Sequence, residues 1–149
     1  MISIAITLHL LGTIVWVGGM FFAHMALRPT AAEALEPPLR LPLLKGVLDR
    51  FFRWVWVAIA LILTSGLWIF FVPLRGEGGW YLYLMLILGL VMMGIFTYIY
   101  TQPYQRMGEA LAAGNLSAAG EQMNLIRRAI GINLLLGLLV SVIATLKPF

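Results

Sequence analysis

ISIAITLHLLGTIVWVGGMFFAHMAL, residues 2–27, contains no Asp, Glu, Lys or Arg. A helix rising about 1.5 Å per residue needs about 20 apolar residues to cross a hydrocarbon core, and this stretch supplies them. It lacks the basic start and the small-x-small ending of a cleavable signal peptide, and its apolar run is too long for one. It therefore reads as a retained span. Residues 54–74, 80–100 and 126–146 pass the same test.

Composition agrees with the spans. The chain is 62% hydrophobic and 11% charged, with a mean hydropathy of +0.96, whereas soluble domains average about 45–50% apolar and about 25% charged. The lipid bilayer is the expected partner. No cysteine is present, which excludes disulfides and thiolate metal sites. The net charge of +4 comes from basic residues beside the spans, where they set orientation, so no nucleic-acid partner is expected.

The connections differ in kind. The first contains Pro29, Pro37, Pro38 and Pro42, which predicts an extended first half. LPLLKGVLDRFFRW then alternates apolar and basic residues at helical spacing, as a short interfacial helix would. RGEGG, residues 75–79, reads as a tight hairpin. The third connection begins at Pro103, and its Gly114-Asn115 pair reads as a helix stop followed by a new cap. Arg28, Arg40, Lys45, Arg50 and Arg53 lie in the first connection, and Arg106, Arg127 and Arg128 in or beside the third. Only Arg75 and Lys147 lie on the other side. This bias places connections one and three in the cytoplasm and both termini outside, in the periplasm. The expected architecture is all-α: a single membrane domain over residues 1–149, forming an integral membrane four-helix antiparallel bundle plus the interfacial helix. Gly12, Gly89, Gly94, Gly137 and Ser141 are expected at helix contacts.

His9 is the residue that most needs explaining. Trp16 lies seven residues on, so both point almost the same way from a helix, and Gly12, Thr13 and Met20 share that broad face. Gly18 and Gly19 would let a backbone or a flat ligand approach closely. One reading is a histidine that donates a hydrogen bond to a neighbouring carbonyl while the glycines serve packing. The other is a ligand, because ionisable groups inside spans are expensive and mark functional sites. His24, the only other histidine, lies roughly 22 Å along the same helix, so the two cannot share one metal within a chain. A symmetric homodimer would pair two copies of His9 across its axis. Methionine supplies soft thioethers suited to copper(I) or a haem axial position. With the first and third spans parallel, Met85 falls at the depth of His9, and Met92 falls near Met20, one turn before His24. The alternative for these methionines is packing filler. Every carboxylate lies in a connection, which argues against a carboxylate proton relay or a di-iron site. No nucleophile–base set, phosphate loop or zinc motif supports hydrolytic chemistry.

LHLLGTIVWVGGMFF, residues 8–22, resembles the first helix of the membrane superfamily that contains the CopD copper-resistance domain and the HemJ-type protoporphyrinogen oxidases. RFFRWVWVAIALILTSG and LGLVMMGIF are similar to small stand-alone CopD-family proteins, and the ending LKPF is similar to that of HemJ-type chains. The resemblance covers essentially the whole chain and implies a four-helix protein of the bacterial inner membrane. Its HemJ side implies haem b held by His9; its CopD side implies copper homeostasis. Two HemJ features are missing: GGWYLYLM, residues 78–85, lacks the His-x-Lys pair, and Arg127 is followed by RAIG instead of leading into Asn-Glu. Protoporphyrinogen oxidase activity is therefore not expected. For haem, His9 would be an axial ligand, Gly12 and Gly19 would give the ring room, and Trp16 would line the pocket. Met85, Tyr83 or a second copy of His9 would stand opposite. For copper(I), His9 and Met85 would form an outer site, and Met20, His24 and Met92 an inner one. The alternative is a non-catalytic membrane subunit or scaffold, whose His9–Trp16 face packs against other membrane proteins.

Overall fold

The computed structural model describes residues 1–147 as six α-helices and one π-helical turn: α1 Ile2–Phe22, the turn Ala23–Leu27, α2 Arg28–Ala34, α3 Pro37–Phe71, α4 Trp80–Thr101, α5 Pro103–Ala112 and α6 Leu116–Leu146. Pro148 and Phe149, which close the LKPF ending, lie outside the described residues. Four of the resulting helical stretches are long and apolar enough to cross a membrane, as the apolar runs require.

Contacts between named side chains give the topology. His9 meets Ile62 and Ser65, Gly12 faces Ala58 and Ile62, and Gly19 faces Phe51. Numbers rise along α1 as they fall along α3, so the two are antiparallel. Phe52 and Trp56 meet Phe96 and Tyr100, while Phe70 meets Tyr83, which sets α4 antiparallel to α3. On α6, Gly137 approaches Val17 and Gly131 approaches His24, so α6 runs against α1 and closes an antiparallel bundle.

The core joins Trp16, Met20, Phe52, Val55, Met92, Phe96, Ile126 and Ile130, all buried. Its aromatic rings meet edge to face, Phe52 on Phe96 at 5.2 Å and Trp56 on Phe96 at 4.9 Å, an arrangement that adds to simple burial. Outward-facing residues are also large and apolar, among them Ile14, Phe22, Ile87 and Leu135. Such a surface suits contact with lipid.

The proline-rich connection is helical where an extended chain was expected. Pro37 is the first residue of α3, a position that lacks a helical N–H partner in any case, whereas Pro29 lies where α2 continues from the π-helical turn without a break, and the helix runs on through it. The chain is extended only around Leu35 and Glu36. α3 then continues through Pro42 into span two, so the amphipathic stretch is the N-terminal part of that helix. Its buried residues Leu41, Leu44, Leu48, Phe52 and Val55 keep three- and four-residue spacing and give one core-facing stripe. A polar cluster with α5 ties this part down. Lys45 pairs with Asp49 at 2.6 Å and lies over the Tyr104 ring, and the Tyr104 hydroxyl donates to Asp49. Burial acts to raise the pKa of Asp49, but the hydrogen bonds from Lys45 and Tyr104 outweigh it and hold the carboxyl below its usual range. Burial and the same carboxylate push the Tyr104 phenol up.

The third connection follows the expected punctuation. Gly114 has φ +72° after α5, and the Asn115 side chain accepts from the Ala118 N–H to cap α6. Of the expected helix-contact residues, Gly12 and Gly137 sit at contacts. Gly89 and Gly94 do not, since a methyl group on either would meet nothing within 4 Å. The Ser141 hydroxyl bonds Gly137 O of its own helix.

Candidate functional site

A cavity of about 240 Å³ lies between α1, α3, α4 and α6. His9, Thr13 and Trp16 line it from α1, Met85, Met92 and Met93 from α4, and Gly66 and Gly137 from α3 and α6. Two of the glycines permit close approach. A methyl group on Gly66 would stand 3.0 Å from His9 Cε1, and one on Gly137 would stand 2.8 Å from Val17 Cγ2 and 3.1 Å from the Met92 methyl. Gly66 thus seats the imidazole, and Gly137 admits the Met92 thioether.

The imidazole is oriented through one nitrogen. His9 Nδ1 lies 3.1 Å from Ile62 O and 3.2 Å from Ser65 Oγ. A carbonyl can only accept, so Nδ1 carries the proton and donates. Ser65 directs its own hydroxyl at Leu61 O, which leaves Oγ free to accept from His9 as well. In this tautomer Nε2 holds the lone pair. A backbone carbonyl on one imidazole nitrogen is the support that metal-binding histidines use to present the other. Thr13 does not compete for the ring, because its hydroxyl donates to His9 O at 2.9 Å.

The structure brings together part of the expected constellation. His9, Trp16, Met85 and Met92 share the cavity. Met20 is fully packed in the core. Gly12 faces Ala58 and Ile62, and a methyl group on Gly19 would overlap the Phe51 ring, so both serve the α1–α3 contact and neither opens room for a ring. Tyr83 is exposed, donates to Gly76 O at 2.7 Å and packs on Phe70, outside the cavity. His24 lies on the π-helical turn, in a separate crevice with Arg28 and Arg127. Met20, His24 and Met92 therefore do not line a common space. Among the described residues no three His, Cys, Asp or Glu side chains come together.

Residues outside the sequence-derived set also shape the site. Ser65 and Gly66 were visible only as a polar and small interruption, LTSG, in an apolar span. Asn133 is 1% exposed and donates from Nδ2 to Met92 O at 3.1 Å, on the helix that carries the cavity methionines Met85, Met92 and Met93. A lone amide in the middle of span four was the available signal.

A family model described as copper resistance protein D matches residues 45–147. The chain belongs to the CopD family. No curated protein and no solved structure matches it. The matched segment holds Ser65, Gly66, Met85, Met92 and Asn133 of this CopD protein, whereas His9 and His24 precede it. The family assignment thus covers three walls of the cavity, and the histidine wall rests on the geometry.

Proposed function

We propose that this CopD-family membrane protein handles copper(I), bound in the cavity by His9 Nε2 with thioether help from Met85 and Met92. One observation carries the reading: the Nδ1–H of His9 is tied to Ile62 O, which leaves Nε2 its lone pair on a histidine that lines one cavity with Met85, Met92 and Met93. Imidazole and thioether are a donor set that copper(I) accepts and harder cations do not. Among the described residues no carboxylate lines the space, so a hard divalent cation would lack the oxygen ligands it favours. The donors come from one chain, so the site needs no second copy.

Haem fits less well. The cavity of about 240 Å³ is smaller than the roughly 300–1,000 Å³ of pockets that bury drug-sized ligands, and a porphyrin would force the helices apart. Of the expected opposite ligands, Tyr83 is engaged with Gly76, and Met85 is the one that lines the cavity with His9. No haem chemistry is assigned to the chain.

We place the protein in the bacterial inner membrane on its family membership, and the charge asymmetry supports an orientation with α5 and the start of α3 in the cytoplasm. The cavity then opens toward the periplasmic half, the side from which a copper ion would arrive. An ultraviolet–visible spectrum of purified protein with and without dithionite, together with elemental analysis after copper(I) loading, tests the reading. Stoichiometric copper without a Soret band is expected. A Soret band with a sharp reduced α-band would replace copper with haem, and a colourless protein that retains no copper would leave the scaffold reading.

A further inference from the structure

A second cavity, of about 420 Å³, lies where α2 and the first turns of α3 and α6 converge. Arg28, Arg40 and Arg127 all line it. Among the described residues no carboxylate does, although Glu33 and Glu121 lie on α2 and α6 and Glu36 just ahead of α3. Among the described residues the one ion pair within 4 Å is Lys45–Asp49, so none of the three arginines is neutralised. Arg28 and Arg127 stand close enough to repel each other, and Arg28 Nε is buried without an acceptor. Among the described residues the one bond from Arg40 is a long one, 3.5 Å to Ala32 O. Two long helices also begin at this cavity, α3 at Pro37 and α6 at Leu116, and their dipoles add positive potential. Cations that converge in this way repel one another, and an anion among them relieves the repulsion.

We infer that Arg28, Arg40 and Arg127 bind the phosphate of an anionic phospholipid. Guanidinium groups match the geometry of phosphate oxygens, and Ser117 and Asn124 add polar groups at the rim. The apolar part of the lining favours a lipid over free phosphate: Leu41, Leu44 and Met123 face the same space, and a narrow crevice sharing Leu44 and Met123 continues past Leu48 and Ile130. A headgroup would be held among the arginines while its glycerol and first methylenes cover these side chains. Basic pockets between membrane helices bind lipid headgroups in this way.

The test uses the full chain, delipidated in mild detergent, with thermal unfolding as the readout. Three probes are compared at equal concentration: dihexanoylphosphatidylglycerol, dihexanoylphosphatidylcholine and inorganic phosphate. The phosphatidylglycerol should raise the unfolding temperature in a saturable way, and the other two should not. In Arg40→Gln and Arg127→Gln the half-saturating concentration should rise about tenfold, the factor expected for loss of one charge-assisted bond. Arg128→Gln, which removes the same charge outside the cavity, should behave like the unaltered chain. Equal stabilisation by phosphatidylcholine, or unchanged phosphatidylglycerol binding in both cavity variants, would overturn the site. Stabilisation by inorganic phosphate as large as that by phosphatidylglycerol would overturn its assignment to lipid.

Discussion

Replacing Asn133 with leucine should stabilise the protein. The side chain is 1% exposed, and its Nδ2 donates to Met92 O at 3.1 Å, but its Oδ1 is buried with no partner. Asn133→Leu removes one interhelical hydrogen bond, which averages about 0.6 kcal/mol between membrane helices. It leaves Met92 O inside the regular ladder of α4. It also removes an unsatisfied buried carbonyl, which costs about 1–3 kcal/mol, and places a side chain of similar size among apolar neighbours. The balance is a gain of about 1 kcal/mol. Reversible unfolding in mixed detergent micelles, followed by tryptophan fluorescence, measures it. A loss of 2 kcal/mol or more would refute the reasoning, because Oδ1 would then have a partner worth keeping. Asn133→Asp should destabilise in the same assay, since it buries a carboxyl where an amide donor is needed.

Gly137→Val should destabilise by about 1–3 kcal/mol through overpacking, because even its Cβ would stand 2.8 Å from Val17 Cγ2 and 3.1 Å from the Met92 methyl; the same unfolding titration reads it. Asp49 titrates below its usual range because Lys45 and Tyr104 outweigh burial, so its contribution is present above the unfolded pKa of about 3.9 and is lost as pH falls through the lower folded value. The difference in unfolding temperature between the unaltered chain and Asp49→Asn should therefore be constant near neutrality and shrink below about pH 4. For orientation, an impermeant thiol reagent on intact cells should label Glu77→Cys and spare Arg40→Cys; the reverse pattern would invert the bundle.

The spans and their antiparallel order were legible because lipid imposes a length and a composition that few other constraints mimic. The Gly114-Asn115 punctuation was legible for a local reason: a left-handed glycine and an amide cap act within one turn. The prolines of the first connection misled because Pro37 starts a helix as readily as a proline breaks one, and because the helix continuing from α1 carries on through Pro29. At the site, matching depths along parallel spans anticipated that Met85 and His9 line one cavity. Rotation about the helix axes was the missing quantity. It turns Gly19 toward Phe51, leaves Gly89 and Gly94 without a packing neighbour, and presents Ser65 and Gly66 to the histidine. Those partners depend on how two helices meet, which periodicity within one helix does not encode. Asn133 was readable as a buried amide, but its bond to Met92 was not.

Copper(I) stoichiometry of the purified protein, measured by competition with a chromophoric chelator, tests the central claim most directly when the two single-histidine variants are compared. The account predicts one tightly held ion in the unaltered chain and in His24→Ala, and its loss in His9→Ala. Retention of copper by His9→Ala, or its loss only in His24→Ala, would contradict the assignment of the cavity.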